Sequence, residues 1–600
     1  MNNDLHALTP ALRLYLHVTA AITGACVLVV EILGAKMLAP YFGTSHFVWT
    51  AQIGVTLVSL SAGYYLGGRW ADHSPRLGNL YLAILGAAVY LAGAMVIIER
   101  ICFLCLDLKN LPVGSLLAAM FLFLIPLALL AITVPFLVRV LAVSVDRVGG
   151  QVGRLSAIST LGSVAGTALI GYVLIPRLRN SVTLLATIAV LAALAVVYYA
   201  VWGRRKPAAL FVGLGLCLLF GNAGLRADKI FVPDNGRLLH RSNSPFGQIL
   251  VIEHNRPIGE LTNSTEAMRR YHDLHKAASV PYRMYLNDHL IQNTYDARTG
   301  QSASLFTVAL YGLAHVYTPQ MRDVLCIGMG VGMVPMRFAN DEPKAIVDVV
   351  EINPDIIPVA EKFFGFDRRR VNLFIDDGRH FVNRTAKKYD AIVLDAFLGD
   401  SSPSHLMTVR ALTAMRARLQ PEGVLVVNSF GRSFDAEGLA AIQQAEAALV
   451  RLREEKRDLG VQARARSGLL MFHRPEDFLT VSLALTLRKV FGQVRIHASG
   501  NGNVFFVASR AGQLTVHHPP DFMSDDLSQN RFAGAHPVVT HDETTWRQAR
   551  AMFERTWGIL PARGQVLTDD YNPVEFFDAA NRQRTRLSLA NAMRPRKAGR

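Results

Sequence analysis

Cysteine is scarce in this 600-residue chain, which contains only five. Their spacing fits neither a disulfide framework nor a zinc site, and the C-x-x-C at Cys102 and Cys105 lies in an apolar segment where packing residues are expected. The chain also has no basic patch interleaved with aromatic residues, which is the usual mark of a nucleic-acid-binding surface. These absences argue against a disulfide-stabilised fold, a bound metal and a nucleic-acid partner.

Acidic residues are outnumbered: 46 Asp and Glu stand against 62 Lys and Arg, and the net charge is +16. Many of the basic residues lie beside long apolar segments, where cations set membrane topology and contact anionic headgroups. The clearest examples are Arg69, Arg76, Arg147, Arg154 and residues 204–206. The positive charge therefore indicates membrane lipids as partners.

Residues 1–228 contain seven runs close to the roughly 20 apolar residues that a membrane-spanning helix needs. They lie near 13–34, 48–68, 79–98, 113–138, 155–176, 182–202 and 207–224. No cleavable signal pattern is expected, because residues 1–10 are polar. We predict a multi-span transmembrane domain over 1–228, with buried helices of a large soluble protein as the alternative.

Two features of residues 1–228 indicate more than a generic lipid-facing surface. Glu31 lies within the first run, and an ionisable residue in a membrane span is a candidate functional site. A structural pair with Lys36, or with an arginine of another span, is the alternative. Gly162, Gly166 and Gly171 form a set of small residues against which another helix can pack.

Residues 229–600 have ordinary globular composition, and their most informative feature is a glycine motif. The apolar run Val-Leu-Cys-Ile leads into Gly328, Gly330 and Gly332, and the next apolar run ends in Glu351. This is the layout of a Rossmann-type nucleotide-binding half. The glycines let the backbone approach the ligand, and the carboxylate accepts hydrogen bonds from a ribose diol.

Strands and helices are predicted to alternate after this motif. Strands are expected near 323–328, 346–351, 371–375, 390–395, 423–428 and 503–508, and helices near 333–340, 354–363, 404–419, 436–454 and 477–490. Such alternation predicts a mostly parallel sheet. Apolar runs near 244–253 and 285–292 predict a smaller antiparallel sheet before it. We therefore divide this half into a small β-domain, 229–300, and a Rossmann-like α/β domain, 301–600.

Acidic residues stand where three successive strands end. They are Glu351, then Asp376 and Asp377 before Gly378, and finally Asp395. Ligands of parallel sheets bind at this edge. Because several carboxylates in one crevice repel one another, the arrangement favours a cationic sulfonium nucleoside with an amine over a dinucleotide pyrophosphate. Helix capping, for which Asp is common, is the alternative for each acid.

The order of these motifs resembles the spermidine synthase family, the polyamine aminopropyltransferases, over residues 244–430. The order is Gln248, Asp288-x-x-x-Gln292, the glycine turn, Glu351, Asp377-Gly and Tyr-Asp-x-Ile-x-x-Asp395. The apolar half, with its Glu31-Ile-Leu-Gly-Ala-Lys start, is similar to the membrane-fused bacterial branch of that family. The segment Thr568-Asp-Asp-Tyr-Asn-Pro also recurs in that branch. The implied fold is a helical membrane domain followed by a Rossmann-like fold of the S-adenosylmethionine-methyltransferase type.

The resemblance implies that an aminopropyl group is transferred from decarboxylated S-adenosylmethionine, a co-substrate rather than a tightly bound cofactor, to a small amine or polyamine. By resemblance Glu351 would bind the ribose, Asp377 the adenine amino group, and Asp395 would take a proton from the attacking amine. The remaining predicted donor-site residues are Gln248, Gln292, Gly328, Gly330, Gly332, Asp376 and Gly378, and Asp288 and Asp400 are weaker candidates for contacting the amine.

The implied location is the cell inner membrane, with several spans and a cytoplasmic catalytic domain, and a homodimer is compatible with it. The basic residues favour a cytoplasmic N-terminus, so seven spans would place residues 229–600 outside. We therefore expect one span to be miscounted, with 113–138 and 207–224 as the suspects.

This chain also departs from the family pattern. The family carries Asp within the glycine turn, where this chain has Val331, and a second Asp three residues after the position of Asp395, where this chain has Leu398. The nucleoside half of the site is thus retained, but the amine half is not. Two other functions stay open: a methyltransferase using S-adenosylmethionine on the same fold, and a sensor or transporter that binds a polyamine or nucleoside without turnover.

Overall fold

The computed structural model describes most of the chain in two compact units. The described residues are 9–43, 45–108, 110–141, 148–203, 207–227, 232, 236–257, 279–297, 300–397, 402–454, 474–498, 501–519, 552–555, 557–559, 561, 564–577 and 586. The helical unit comprises 1–231, 242–245 and 583–600, and the α/β unit comprises 232–241 and 246–582. The small sheet thus falls in the same unit as the α/β part. The division into three domains stays a prediction.

Seven long helices make up the helical unit. They are α1 (Pro10–Phe42), α2 (His46–His73), α3 (Leu77–Leu106), α4 (Leu111–Leu141), α5 (Gly149–Arg177), α6 (Asn180–Val201) and α7 (Ala208–Ala227). Each is long and apolar enough to cross a membrane, by length and composition only. Every predicted run is therefore a helix, including the two suspected of being miscounted. Seven spans with a cytoplasmic N-terminus would still place residues 229–600 outside, so the number of helices does not resolve the conflict with the positions of the basic residues.

Two of the predicted small residues lie where α5 meets α1. A Cβ atom added to Gly162 would lie 2.0 Å from the backbone oxygen of Ala21, and one added to Gly166 would lie 2.6 Å from that of Ala25. The helices can pack this closely only because both side chains are absent. A Cβ at Gly171 would meet nothing within 4 Å, so the third glycine is not part of this contact.

A polar ladder crosses between α1 and α2. The Glu31 carboxyl group of α1 lies near Thr56 of α2, whose hydroxyl donates to the carbonyl oxygen of Gln52 (2.9 Å). One turn along, the fully buried Gln52 side chain lies against Gly34, where a Cβ would come within 2.8 Å of its Nε2 atom. Neither amide atom of Gln52 has a hydrogen-bond partner within the described part of the chain. Glu31 thus lies beside a hydroxyl-bearing residue of the neighbouring helix, and it forms no ion pair with Lys36 within the described part of the chain.

The α/β unit begins with a five-stranded sheet in simple chain order. Its strands are β1 (Gly236–Ser244), β2 (Gly247–Pro257), β3 (Ser279–Asn287), β4 (Leu290–Asp296) and β5 (Gln301–Ser302). From β2 to β5 successive strands pair antiparallel. The predicted small antiparallel sheet is therefore present. The segment 285–292, predicted as one strand, is instead a hairpin in which β3 ends, the chain turns at Asp288 and His289, and β4 begins.

A seven-stranded sheet forms the centre of this unit. Its strands are β6 (Asp323–Ile327), β7 (Ile346–Glu351), β8 (Asn372–Ile375), β9 (Tyr389–Leu394), β10 (Leu419–Arg432), β12 (Val494–Ala498) and β13 (Asn501–Ser509), while β11 (Phe434–Asp435) pairs separately with β14 (Trp557–Gly558). The order is β12-β13-β10-β9-β6-β7-β8. The five strands from β8 to β10 are parallel, and β13 runs antiparallel between β10 and β12.

The five helices predicted between these strands are present with small shifts of their ends, and three others occur among the described residues. They are α8 (Leu305–Tyr317), α9 (Met333–Asp341), α10 (Ile357–Phe364), α11 (Gly378–Arg384), α12 (Val409–Ala417), α13 (Ala436–Glu454), α14 (Arg474–Phe491) and α15 (Val574–Phe577). Sequence reasoning missed β12 and the two-turn helix α11. Both are short, and β12 pairs only through β13, so neither has a clear period of its own.

Both faces of the central sheet are buried, as a parallel sheet covered by helices requires. Along β6, Val324 and Cys326 pack into one apolar cluster, and Leu325 and Ile327 pack into another on the opposite face. The alternation explains why β6 reads as a continuous apolar run. It also leaves the ends of the strands as the place where polar side chains can gather.

Candidate functional site

The glycine turn links β6 to α9. The amide of Gly328 donates to the carbonyl oxygen of Val350 (2.8 Å), and its φ angle is +92°. A Cβ at this position would lie 2.1 Å from the backbone oxygen of Asp395. Glycine is required here for two reasons. An L side chain is disfavoured at this φ angle, and its Cβ atom would collide with the backbone that follows β9. The turn therefore brings Asp395 beside the predicted nucleotide site.

Glu351 ends β7 and holds the same turn. Its carboxylate accepts hydrogen bonds from the backbone amides of Met329 (2.9 Å) and Asn353 (2.8 Å), and the residue is 8% exposed. Burial raises its pKa, and the backbone hydrogen bonds act in the opposite direction. The predicted acid is thus at the predicted place, and it also organises the glycine turn.

Asp376 and Asp377 follow β8 and have different partners. The Oδ1 atom of Asp377 accepts from the amides of Arg379 and His380 (both 3.0 Å), so Asp377 is the N-cap of α11. Its Oδ2 atom pairs with His405 at 2.9 Å. Burial works against ionisation of Asp377, but the bonds from His380 and His405 outweigh it and lower its pKa. The capping alternative is therefore realised for Asp377, which does not prevent a role in binding.

Asp376 pairs with the Nδ1 atom of His380 at 2.7 Å. Next to it, Gly378 leaves no room for a side chain, because a Cβ would lie 2.4 Å from Ile327. The acids after β8 therefore each have a histidine ring as a hydrogen-bond partner.

Asp395 follows β9 and caps none of the helices that the structure describes. Its amide donates to the carbonyl oxygen of Ile327 (2.9 Å), and its Oδ1 atom accepts from the Nδ2 atom of Asn428 (2.8 Å). Burial raises the pKa of Asp395 to about 6, although the Asn428 bond lowers it. A carboxyl group with this pKa can both accept and release a proton near neutral pH, as a general base must.

The β3–β4 hairpin carries the predicted residues of the small sheet. Asp288 has a φ of +44° in the turn, and its Oδ1 atom accepts from the amide of Gln248 at 2.9 Å. Asp288 therefore fixes the turn before β2 and sets where Gln248 lies. Gln292 is on β4, and its Nε2 atom reaches the carbonyl oxygen of Leu290 (3.5 Å).

Sequence reasoning missed Tyr285, a buried residue of β3. Burial, with the nearby charge of Glu351, raises its pKa, so the hydroxyl stays protonated. Tyr285 brings the small sheet close to the ribose-binding candidate. A single tyrosine in a predicted strand cannot be distinguished by sequence from a tyrosine that only packs in the hydrophobic core.

The C-terminal Thr-Asp-Asp-Tyr-Asn-Pro segment is tied to the same edge of the sheet. Asp569 accepts from Arg379 (2.5 Å) and from the Thr408 hydroxyl (2.6 Å). Asn572 donates to the carbonyl oxygen of Ser404 (2.7 Å), next to His405. The motif therefore holds the segment that supplies the partner of Asp377.

The structure thus gathers the glycine turn, Glu351 and Asp395 into one site with Asp376 and Asp377 on the adjacent strand end. Asp400 and Leu398 lie outside the described residues. No group of three or more His, Cys, Asp or Glu that could hold a metal ion occurs among the residues that the structure describes. Asn428 was missed, although a polar residue closing the apolar run Val-Leu-Val-Val is the same signal that identified Asp395.

The sheet order, the glycine turn and the acids at strand ends define a Rossmann-like domain of the S-adenosylmethionine-methyltransferase type, as predicted. Within it, residues 305–448 match the family model of the spermine/spermidine synthase domain. The similarity to the spermidine synthase family is thereby confirmed for this region.

Individual relatives include aminopropyltransferases and a methyltransferase. A polyamine aminopropyltransferase of Vibrio vulnificus (strain CMCP6) is 37% identical over 122 residues, which cover 20% of this chain and 41% of that protein. One from Sulfolobus acidocaldarius (strain ATCC 33909) is 30% identical over 128 residues, covering 20% of this chain and 42% of that protein. An eEF1A lysine and N-terminal methyltransferase of Bos taurus is 31% identical over 134 residues, covering 20% of this chain and 19% of that protein. The matched regions span less than half of each relative.

Proposed function

We propose that this protein is a membrane-anchored aminopropyltransferase that uses decarboxylated S-adenosylmethionine as donor and a small amine or polyamine as acceptor. The observation that carries the proposal is the Asp395 carboxyl group. It lies against the glycine turn, with a pKa raised to about 6, in a region that matches the spermine/spermidine synthase domain.

The chemistry requires a base beside the donor. An alkylammonium ion is not a nucleophile, so it must first lose a proton, which Asp395 would accept. The amine nitrogen then attacks the carbon next to the sulfonium. A C–N bond forms as the C–S bond breaks, and the bonding pair returns to sulfur to give a neutral thioether. Holding the two reactants in line supplies a large part of the rate.

The donor would occupy the glycine turn. Glu351 would accept hydrogen bonds from the ribose hydroxyls, since its two oxygens retain lone pairs beyond the bonds from Met329 and Asn353. Asp377 would meet the adenine amino group with the oxygen that now pairs with His405. Gln248 and Gln292 would approach the donor from the small sheet.

The seven apolar helices would anchor this domain in the cell inner membrane with lipids as partners, as in the membrane-fused branch. Their length and composition support spanning. The use of a cytosolic nucleoside co-substrate favours a cytoplasmic α/β unit. The acceptor site departs from the family at Val331, which is fully buried and apolar, so we propose an acceptor other than a simple diamine.

The test is an Asp395→Asn variant of the full-length protein, with products from a mixed amine pool measured by mass spectrometry. The variant should lose transfer by about 1000-fold, as expected for removal of a general base, while keeping donor binding. Asp390→Asn is the matched control. Asp390 lies near the start of β9, at the end of the strand opposite Asp395, where its carboxylate accepts from the amides of Arg322 and Asp323. Equal activity in the wild type and Asp395→Asn would refute the role.

A methyltransferase is the second candidate, and the similarity to the bovine enzyme favours it. Calorimetry with both sulfonium nucleosides separates the two. Tighter binding of the donor that retains its carboxylate, together with methylated products, would replace our proposal.

A further inference from the structure

We infer that Asn428 and Asn503 form a two-amide relay that positions Asp395, so that one defined carboxyl oxygen faces the acceptor amine. The inference rests on the proposed function for its catalytic meaning. The relay itself is a feature of the folded chain, and it can be tested without turnover.

The relay runs across three neighbouring strands. The Nδ2 atom of Asn503, on β13, donates to the Oδ1 atom of Asn428 on β10 (3.0 Å). The Nδ2 atom of Asn428 in turn donates to the Oδ1 atom of Asp395, directly after β9 (2.8 Å). Asn428 is 2% exposed. The chain of donors therefore runs through the buried amide of Asn428 to the partly exposed carboxyl group of Asp395.

The direction of the relay determines which way the Asn428 amide points. An asparagine amide can turn over and exchange its oxygen and its nitrogen. Asn503 holds the oxygen of Asn428 on the β13 side, which leaves the NH₂ group to face Asp395. With the amide reversed, its oxygen would oppose a carboxylate oxygen and repel it. Asn503 thus acts on Asp395 without touching it.

The relay also distinguishes the two oxygens of Asp395. Oδ1 is engaged by Asn428, and Oδ2 has no hydrogen-bond donor within the described part of the chain. Oδ2 is therefore the oxygen that accepts the proton of the amine. Because a donor stabilises the charged form of a carboxyl group, the relay also keeps Asp395 a weaker base than burial alone would make it.

A purely structural role is the competing explanation, since amides between strands can simply add cohesion. The pairing around the relay does not depend on it: Asn428 lies opposite Phe505 and Phe430 lies opposite Asn503 in a continuous β10–β13 ladder. Loss of an amide should therefore leave the sheet folded and change the ionisation of Asp395.

The experiment compares Asn428→Leu, Asn503→Leu and Ser429→Ala in the full-length protein. The titration of Asp395 is followed by ¹³C NMR of labelled aspartate, with the signal assigned by its loss in Asp395→Asn. Asn428→Leu should raise the midpoint by about one pH unit, and Asn503→Leu by about half as much, because a hydrogen bond to the charged form is removed or misdirected. Ser429, fully buried on the opposite face of β10, is the control and should leave the midpoint unchanged.

Unchanged midpoints in both asparagine variants, with wild-type circular dichroism, would overturn the relay whether or not the protein is an aminopropyltransferase. If the wild type transfers an aminopropyl group, the acid limb of its kcat/KM profile should move upward with the same two variants. If the midpoint of the Asp395 titration shifts but the wild type transfers no aminopropyl group, the relay is supported and the proposed function is refuted.

Discussion

Glycine has different uses in the two units of this chain. In the helical unit Gly162 and Gly166 lie within a regular helix, and what matters is the missing side chain at the contact with α1. In the α/β unit Gly328 and Gly332 have φ angles of +92° and +84°, and what matters is the backbone conformation as well as the space. The first use builds a scaffold by close packing, and the second builds a turn that brings separate strand ends together.

Polar groups follow the same division. In the helical unit many buried hydroxyls donate to a carbonyl of their own helix, as Thr23, Thr56 and Ser59 do. In the α/β unit they reach across strands, as in the Asn503–Asn428–Asp395 relay. Local pairing makes a side chain compatible with an apolar environment, whereas pairing across strands can set the chemistry of a site.

The largest expected effect is at the glycine turn. Gly328→Ala should destabilise the α/β unit by at least about 3 kcal/mol, because the new Cβ meets the Asp395 backbone in an unfavourable φ. Gly330→Ala is the matched control. It shares a positive φ of +55° but meets nothing within 4 Å, so strain of about 1 kcal/mol is expected. Calorimetry of the full-length protein measures both, and equal losses would mean that the contact is unimportant.

Next in size is the contact between α1 and α5. Gly162→Ala should destabilise the helical unit by about 2 kcal/mol, since the clash with Ala21 exceeds the gain in helix propensity. Gly215→Ala, on α7 with nothing within 4 Å, should be neutral or stabilising by up to about 1 kcal/mol. If both substitutions stabilise the unit in thermal unfolding, close packing is not the reason for the glycine.

A buried histidine should make only the α/β unit sensitive to mild acid. Burial first, and then the charge of Arg495, lowers the pKa of His497 to about 3. Below pH 6.5 the unfolded chain binds a proton that the folded chain refuses, so stability falls as pH falls from 6.5 towards 3. The loss contributed by His497 alone should be about 2 kcal/mol between pH 7 and pH 5. The Asp395 carboxyl group, whose pKa is raised to about 6, acts in the opposite direction over the same range and reduces the net loss.

His497→Phe should remove the contribution of His497, because phenylalanine does not titrate, and the ring should be accommodated, because Phe553 already stacks at this position with centroids 5.2 Å apart. Unfolding measured at pH 5 and pH 7 tests the expectation. An identical difference between the two pH values in the variant and the wild type would assign the effect to another group.

The smallest expected effect lies in the polar ladder of the helical unit. Gln52→Leu should stabilise that unit by about 1 kcal/mol, since it replaces a buried amide without partners by an apolar side chain of similar size. Glu31→Gln, which keeps a polar side chain of the same size beside Thr56, should change stability less. Lower thermal stability of Gln52→Leu would show that the amide has a partner that compensates its burial.

Much of this architecture was predictable from local pattern. Seven apolar runs identified seven helices, since a run of that length has few other stable conformations. The glycine turn and the acids after β7, β8 and β9 were predictable because parallel strands bring their carboxyl ends to one edge. The ends of helices shifted by a few residues, and the short elements β12 and α11 were missed because their formation depends on neighbours.

The partners of the site residues were not predictable in this way. Nothing in the pattern shows that His405 pairs with Asp377, that Tyr285 lies near Glu351, or that Asn503 stands behind Asn428. These pairs join residues 28, 66 and 75 positions apart. Their contacts depend on strand order and register rather than on any local period.

The sequence by itself determined the composition of the two units, the seven apolar helices, the glycine turn and the similarity to the spermidine synthase family, because each of these is written in neighbouring residues. Only the tertiary structure decided that Gly328 must be glycine on account of Asp395, and that two amides from separate strands converge on that carboxyl group. The reason is physical: burial and hydrogen bonding, which determine how a carboxyl group ionises, are set by everything that surrounds it in space.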